Sequence, residues 1–188
     1  AKDFTIYDTD DSRRVVKDVV KELNLDDKTF QPKSVLSVIS AAKDRYLGPE
    51  EFAQKHSAET DWRMGRIAKI YAAYQKKLAS ASALDFDDII FHTVTLLKQE
   101  PEVLACYQKK FRYVCVDEYQ DTNHLQYLLT GLLAGGRRNL CVVGDDDQSI
   151  YRFRGANIEN ILNFEKQYED ARVIRLEQNY RSTQNILD

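Results

Sequence analysis

Asp117 and Glu118 stand directly after an apolar, β-branched run, Tyr113-Val114-Cys115-Val116, and open the polar cluster Asp117-Glu118-Tyr119-Gln120-Asp121. A buried strand that ends in Asp-Glu can hold a magnesium ion through the aspartate and leave the glutamate to orient or deprotonate a water. A second apolar run, Leu140-Cys141-Val142-Val143, leads into Gly144-Asp145-Asp146-Asp147-Gln148-Ser149 and then Ile150-Tyr151-Arg152-Phe153-Arg154-Gly155. Gln148 is an uncharged group able to sense a phosphate oxygen. Tyr151, Arg152, Phe153 and Arg154 alternate rings with cations, a mixture that suits a single strand of nucleic acid, because every base has a π-face and every nucleotide a phosphate. A third run, Arg172-Val173-Ile174-Arg175-Leu176, precedes Glu177-Gln178-Asn179-Tyr180-Arg181-Ser182-Thr183. There Arg181 can neutralise charge developing on a transferred phosphoryl group.

Each cluster taken singly also fits a plainer account. Asp117-Glu118 alone reads as a solvated acidic turn. Tyr151 and Phe153 alone read as core residues of an amphipathic connector, and Arg181 alone as an ion-pair partner of Glu177 or another carboxylate. The three together, each after a strand, make the coupled reading the stronger one.

These side chains need elements to bring them to one edge. Helical stretches at about 125–133 and 158–167 separate the three short runs. Strand–helix–strand–helix–strand at this spacing predicts βαβ units on a parallel sheet. Ligands of such sheets bind at the carboxyl ends of the strands, where all three clusters fall. A helix at about 86–98 precedes them. Leu84-Asp85-Phe86-Asp87-Asp88 places three carboxylates at its start, where capping is expected and metal binding is not. Cys115 and Cys141 lie inside apolar runs and are expected as buried, reduced thiols.

The first half has a helical period. Ser12 is expected to cap a segment with Val15, Val16, Val19, Val20 and Leu23 on one side, ended near Asn24. A second helix is expected after Pro32, through Val35, Leu36, Val38, Ile39, Ala42 and Tyr46, stopped by Gly48-Pro49. A third spans about 60–78, with Trp62, Ile67, Ile70, Tyr71, Tyr74 and Leu78 packed inward. The small, polar stretch Ala79-Ser80-Ala81-Ser82-Ala83 is read as a linker. The expected organisation is therefore a helical subdomain over 1–83 and an α/β domain over 84–188. His56, His92 and His124 are too scattered for a metal site.

Of the 188 residues, 27 are Lys or Arg and 30 are Asp or Glu, a net charge of −3 that does not by itself announce nucleic-acid binding. Residues 1–83 carry 15 cations and 13 anions (+2), and residues 84–188 carry 12 and 17 (−5). The carboxylate-rich second half suits a metal–nucleotide site. No stretch approaches the ~20 apolar residues of a membrane span, so no membrane partner is expected. Three cysteines without a CxxC pair point away from zinc or disulfides and towards a reducing cytoplasm. The start, Ala1-Lys2-Asp3-Phe4-Thr5, has no initiator Met and no apolar signal segment, and is read as excised from a longer chain.

Val116-Asp117-Glu118-Tyr119-Gln120-Asp121-Thr122-Asn123 resembles motif II, the Walker B element, of the PcrA/UvrD/Rep family of superfamily 1 DNA helicases. The stretch from Val143 through Gln148 to Ala156 is similar to that family's motif III. Leu176-Glu177-Gln178-Asn179-Tyr180-Arg181-Ser182-Thr183 is similar to motif IV. Leu84 to Asp88 matches the segment that precedes motif II, and Phe4-Thr5-Ile6-Tyr7-Asp8 resembles the entry into helical domain 1B. The resemblance implies a partial P-loop NTPase (RecA-like) domain 1A beside domain 1B. It implies ATP and magnesium as cofactors, with single-stranded and forked duplex DNA, and repair or replication proteins, as partners of a bacterial cytoplasmic motor moving 3′ to 5′.

By the same resemblance Asp117 holds magnesium and Glu118 activates the attacking water. Gln148 contacts the γ-phosphate, Tyr151 and Phe153 stack on bases, and Arg154 bridges DNA and nucleotide. Tyr180 lies against the adenine and Arg181 reaches the γ-phosphate. The family often carries Trp at the position of Phe153, which implies weaker stacking here.

The family's GxxxxGK[ST] loop is not in these 188 residues. The seven glycines are followed by Pro49, Arg66, Leu132, Gly136, Arg137, Asp145 and Ala156, never by Lys. Without that loop no backbone nest cradles the β- and γ-phosphates, and negligible ATPase is expected of these residues alone. Two rivals stay open: the motor part of a recombination helicase–nuclease, and a DNA-binding or docking module without catalysis.

Overall fold

A computed structural model describes residues 3–57, 61–145, 157–178 and 182–183. Strand β1 (Thr5–Ile6) enters helix α1 (Thr9–Glu22), and α2 (Pro32–Asp44), α3 (Pro49–Lys55) and α4 (Trp62–Ser80) follow. Strand β2 (Ala83–Leu84) pairs in parallel with β1, Thr5 opposite Ala83 and Ile6 opposite Leu84. The chain thus leaves β1, makes four helices and returns beside its starting point. Neither strand was expected from the sequence, since two residues carry no readable period. The 79–83 stretch, read as a linker, is the last turn of α4 followed by strand, with Ala83 buried.

The four helices enclose one apolar core. Val16, Val19 and Val20 of α1 meet Val35 and Ile39 of α2, Phe52 of α3, and Ile67, Ile70, Tyr71, Tyr74 and Leu78 of α4. Helix α1 starts one turn earlier than expected. Asp8, in extended backbone, accepts hydrogen bonds from the N–H groups of Asp10 (2.8 Å) and Asp11 (2.9 Å). Asp8 is therefore the cap, and Ser12 falls on the buried face. These two bonds also hold the Asp8 carboxyl below its usual range.

Gly48-Pro49 opens α3 rather than stopping α2, because proline at the first helical position loses no hydrogen bond. Helix α2 already ends at Asp44, and Tyr46 turns the chain with φ of 57°. Trp62 is not core: at the first position of α4 it is 65% exposed and meets one ring among the described residues, that of Phe30, edge to face.

The α/β part begins with α5 (Phe86–Gln99) and α6 (Pro101–Lys110). Strand β3 (Val114–Val116), helix α7 (His124–Ala134) and strand β4 (Leu140–Val142) then form one βαβ unit. The two strands are parallel, Val114 opposite Leu140 and Val116 opposite Val142. Asn123 caps α7 in a reciprocal box with Gln126. The helix expected at 158–167 is split by Asn163 into α8 (Glu159–Leu162) and α9 (Phe164–Gln167).

Two expectations fail here. Residues 172–176 form no strand; they are exposed, Ile174 at 72%. Extended backbone becomes a strand only beside a ladder partner, and none of the described residues supplies one. Cys115 and Cys141, cross-strand neighbours, are exposed with Cys106. They point to the face of β3–β4 that no described element covers. No helix among the described residues is long and apolar enough to cross a membrane.

Buried charges join the two parts. Lys43 of α2, fully buried, lies 2.6 Å from Asp85 and 2.7 Å from Asp88 at the start of α5. Capping at the start of α5 is as expected, and it takes the form of a reciprocal box between Asp85 and Asp88. Tyr74 donates its hydroxyl proton to Asp85 (2.8 Å) and Gln75 its amide N–H to Asp88 (3.0 Å). Burial would push the Asp85 carboxyl up, but the Lys43 charge and hydrogen bond, with those from Asp88 N–H and Tyr74, hold it below the usual range. The next residue, Asp44, accepts from the amide of Asn123 (2.7 Å). Burial, reinforced by the Asp87 charge, pushes the Asp44 carboxyl up to about 6.

Two stability predictions follow from these charges. Lys43→Met leaves two buried carboxylates without their cation, and denaturant unfolding should show a loss of about 3–5 kcal/mol; a change within about 0.5 kcal/mol would contradict this role. Asp44 ionises later in the folded than in the unfolded chain, where its value is near 3.8. It therefore costs stability increasingly as pH rises from about 3.8 to about 6, and the full cost persists above. Asp44→Asn keeps an oxygen for Asn123, so it should stabilise at pH 7 and be neutral near pH 4 in thermal melts. Equal effects at both pH values would contradict the assignment.

Candidate nucleotide and metal site

The site grows from the carboxyl ends of β3 and β4. Pairing continues past the strands: Val143 N–H donates to Val116 O (2.8 Å), and Tyr119 N–H donates to Val143 O (2.9 Å). The two loops therefore leave the sheet side by side. Asp117 accepts the N–H of Glu118 on Oδ1 (2.8 Å), which orients its carboxylate. Glu118 adopts left-handed backbone, φ 50° and ψ 43°, and a 3₁₀ turn over Tyr119–Asp121 follows. That backbone costs a residue with a Cβ roughly 1–2 kcal/mol. It persists because ladder bonds hold the chain before and after it.

The reversal sorts the side chains. Asp117 and Glu118 are exposed at the sheet edge, while Tyr119 and Gln120 are each 1% exposed. Tyr119 packs edge-on against Phe164 of α9, and burial pushes its hydroxyl up to about 12. Gln120 turns back under the loop. Its Nε2 donates to Glu118 Oε2 (2.8 Å), and its Oε1 accepts the backbone N–H of Asp145 (3.1 Å). Gly144 makes room for that amide: a Cβ there would stand 2.6 Å from Gln120 Oε1 and 2.8 Å from Ile161 Cδ1. Beyond residue 156 the chain is pinned to the same loop. Asn157 N–H donates to Thr122 O (2.9 Å), and the buried Asn160 amide bonds to Thr122 O and Oγ1.

Asp117 and Glu118 thus stand together, and the backbone of Asp145, past β4, reaches the same loop through Gln120. Gln148, Tyr151, Phe153, Arg154, Tyr180 and Arg181 lie outside the described residues. Gln120, Gly144 and Asn160 had no role in the sequence reading. Gln120 did sit in the quoted cluster, an uncharged amide two residues after the glutamate, and that spacing was its one signal.

Among the described residues no group of three or more His, Cys, Asp or Glu side chains could hold a metal alone. An exposed Asp117 carboxylate, with Glu118 beside it, fits a hard cation that keeps waters and takes its other oxygens from phosphate, as magnesium does.

Residues 1–169 match the family model of the UvrD/REP helicase N-terminal domain. The chain belongs to this helicase family. It is 54% identical over 186 residues to the ATP-dependent DNA helicase PcrA of Bacillus subtilis, covering 99% of this chain and 25% of that protein. It is 51% identical over 187 residues to the PcrA of Staphylococcus aureus and 50% over 188 residues to that of Leuconostoc citreum, covering in each case all of this chain and 25% of the relative. The chain therefore spans about a quarter of the length of the curated relatives it matches.

Proposed function

We propose that this chain is part of an ATP-dependent DNA helicase, and that it supplies the Walker B edge of a RecA-like motor domain. The observation that carries the reading is the paired end of β3 and β4, which presents Asp117 and Glu118 outward from a left-handed turn, in a chain of the UvrD/REP helicase family. Residues 84–188 belong to domain 1A on this reading and residues 1–83 to domain 1B. The β1–β2 clasp supports that division, because it brings the two ends of the helical unit together, as an insertion into another domain requires.

The chemistry assigned is phosphoryl transfer to water. Asp117 would hold magnesium, which when bound neutralises charge on the nucleotide phosphates. Glu118 accepts a proton from the attacking water and orients it in line with the leaving group. The contacts to the β- and γ-phosphates that a GxxxxGK[ST] loop makes come from elsewhere in the protein, since these residues contain none. Gln148 and Arg181 are assigned to the γ-phosphate, Tyr180 to adenine, and Arg154 to the bridge between nucleotide and DNA. Tyr151 and Phe153 are assigned to bases of a single strand that the motor follows 3′ to 5′ into a forked duplex. A cytoplasmic location and repair or replication proteins as partners complete the proposal.

The test is DNA-stimulated ATP hydrolysis by the full-length protein, wild type beside Glu118→Gln. The reading expects turnover by the wild type and a fall of ~100-fold or more in the variant. An inert wild type, or a variant with wild-type kcat, would overturn it.

A further inference from the structure

We infer that Gln120 is a positioning residue for Glu118 and links its setting to the backbone that follows β4; this rests on the function proposed above. The amide is 1% exposed and, among the described residues, has one partner on each side: Glu118 Oε2 accepts from Nε2, and Asp145 N–H donates to Oε1. A backbone N–H can only donate and a carboxylate accepts, so the amide has a single orientation. Its NH₂ group must face Glu118.

Both partners need this tie. Glu118 is exposed, on left-handed backbone, and a solvated glutamate samples many rotamers. A water-activating carboxylate must instead hold one place to within about half an ångström. Gln120 supplies that hold from a rigid base, because its own stem is buried and its loop is laddered to Val143. On the other side it grips Asp145, across the gap that only a glycine at 144 leaves open. Asp145 stands three residues before Gln148 and leads into the segment with Tyr151, Phe153 and Arg154. A shift of the backbone after β4 therefore pulls on the amide that holds Glu118, and a change at Glu118 is felt at Asp145. One side chain joins the carboxylate assigned to hydrolysis to the backbone at Asp145, from which the chain runs on in sequence to the residues assigned to DNA.

The probe is Gln120→Glu in the full-length protein. It is isosteric and keeps an acceptor for Asp145 N–H, but it sets a carboxylate where Glu118 needs a donor. Single-turnover ATP hydrolysis with single-stranded DNA should fall ~10–100-fold, with KM for ATP within about threefold of wild type. The same substitution on a Glu118→Gln background should cost less than about threefold, because its route to the chemistry is already gone. The change in single-strand affinity caused by a non-hydrolysable ATP analogue should shrink in parallel. If Glu at 120 unfolds the protein, Gln120→Met, neutral and of similar size, goes through the same cycle.

Losses that multiply in the double variant, or an analogue response as large as wild type, would overturn the inference. The arms separate the two levels. If Glu118→Gln hydrolyses ATP like wild type, the proposed function fails. If Glu118→Gln is inactive while Gln120→Glu is normal, only the role of Gln120 fails.

Discussion

The buried Lys43–Asp85–Asp88 triad is the constraint on which the rest depends. An ammonium and two carboxylates out of water are tolerable only if every polar atom is paired, and here they are. Both Asp85 oxygens and both Asp88 oxygens accept hydrogen bonds, from Lys43, Tyr74, Gln75 and the backbone of the capping box. This pairing fixes α2, α4 and the first turn of α5 against one another. Apolar packing alone would let the helices slide; charges that must meet at 2.6–2.7 Å do not. One residue on, Asp44 takes the amide of Asn123, the cap of α7. Asn123 directly follows the Asp117–Thr122 loop. Asp44, next to Lys43 on α2, thus ties the helical core to the site loop.

The site itself works by opposing directions. The chain after β3 buries Tyr119 and Gln120 and turns Asp117 and Glu118 outward. An ordinary extended continuation would alternate faces and bury one of the two carboxylates. The left-handed Glu118 avoids that, at a local cost offset by the ladder to Val143 and the 3₁₀ turn. Exposure then leaves both carboxylates open to solvent, while the buried Gln120 amide beneath them holds one oxygen of Glu118.

Much of this was legible in the residues, where local rules decide. The apolar faces of α1, α2 and α4, the start of α2 at Pro32, the capping of α5 and the alternation of β3, α7 and β4 all follow from period and caps. Helix α6 escaped because it buries no side chain and so shows no apolar stripe. Helix α3 escaped because Gly-Pro serves a helix start as well as a stop. The run at 172–176 and the cysteines of β3 and β4 were misjudged because pairing and cover are tertiary facts. The place of Asp117 and Glu118 directly after a strand was readable from the apolar run before them. Gln120 was not, since its role depends on an N–H 25 residues away. Lys43 left a trace: a cation beside Ala42, one turn after Ile39, on the buried face of α2.

On the proposed function, the two carboxylates at the end of β3 divide the work, Asp117 for the cation and Glu118 for the water. Equilibrium binding of ATP to the full-length protein, with and without magnesium, tests that division most directly. Glu118→Gln should keep the strengthening of ATP binding by magnesium seen in wild type, and Asp117→Asn should lose most of it. Magnesium dependence preserved in Asp117→Asn, or lost equally in both variants, would contradict the account.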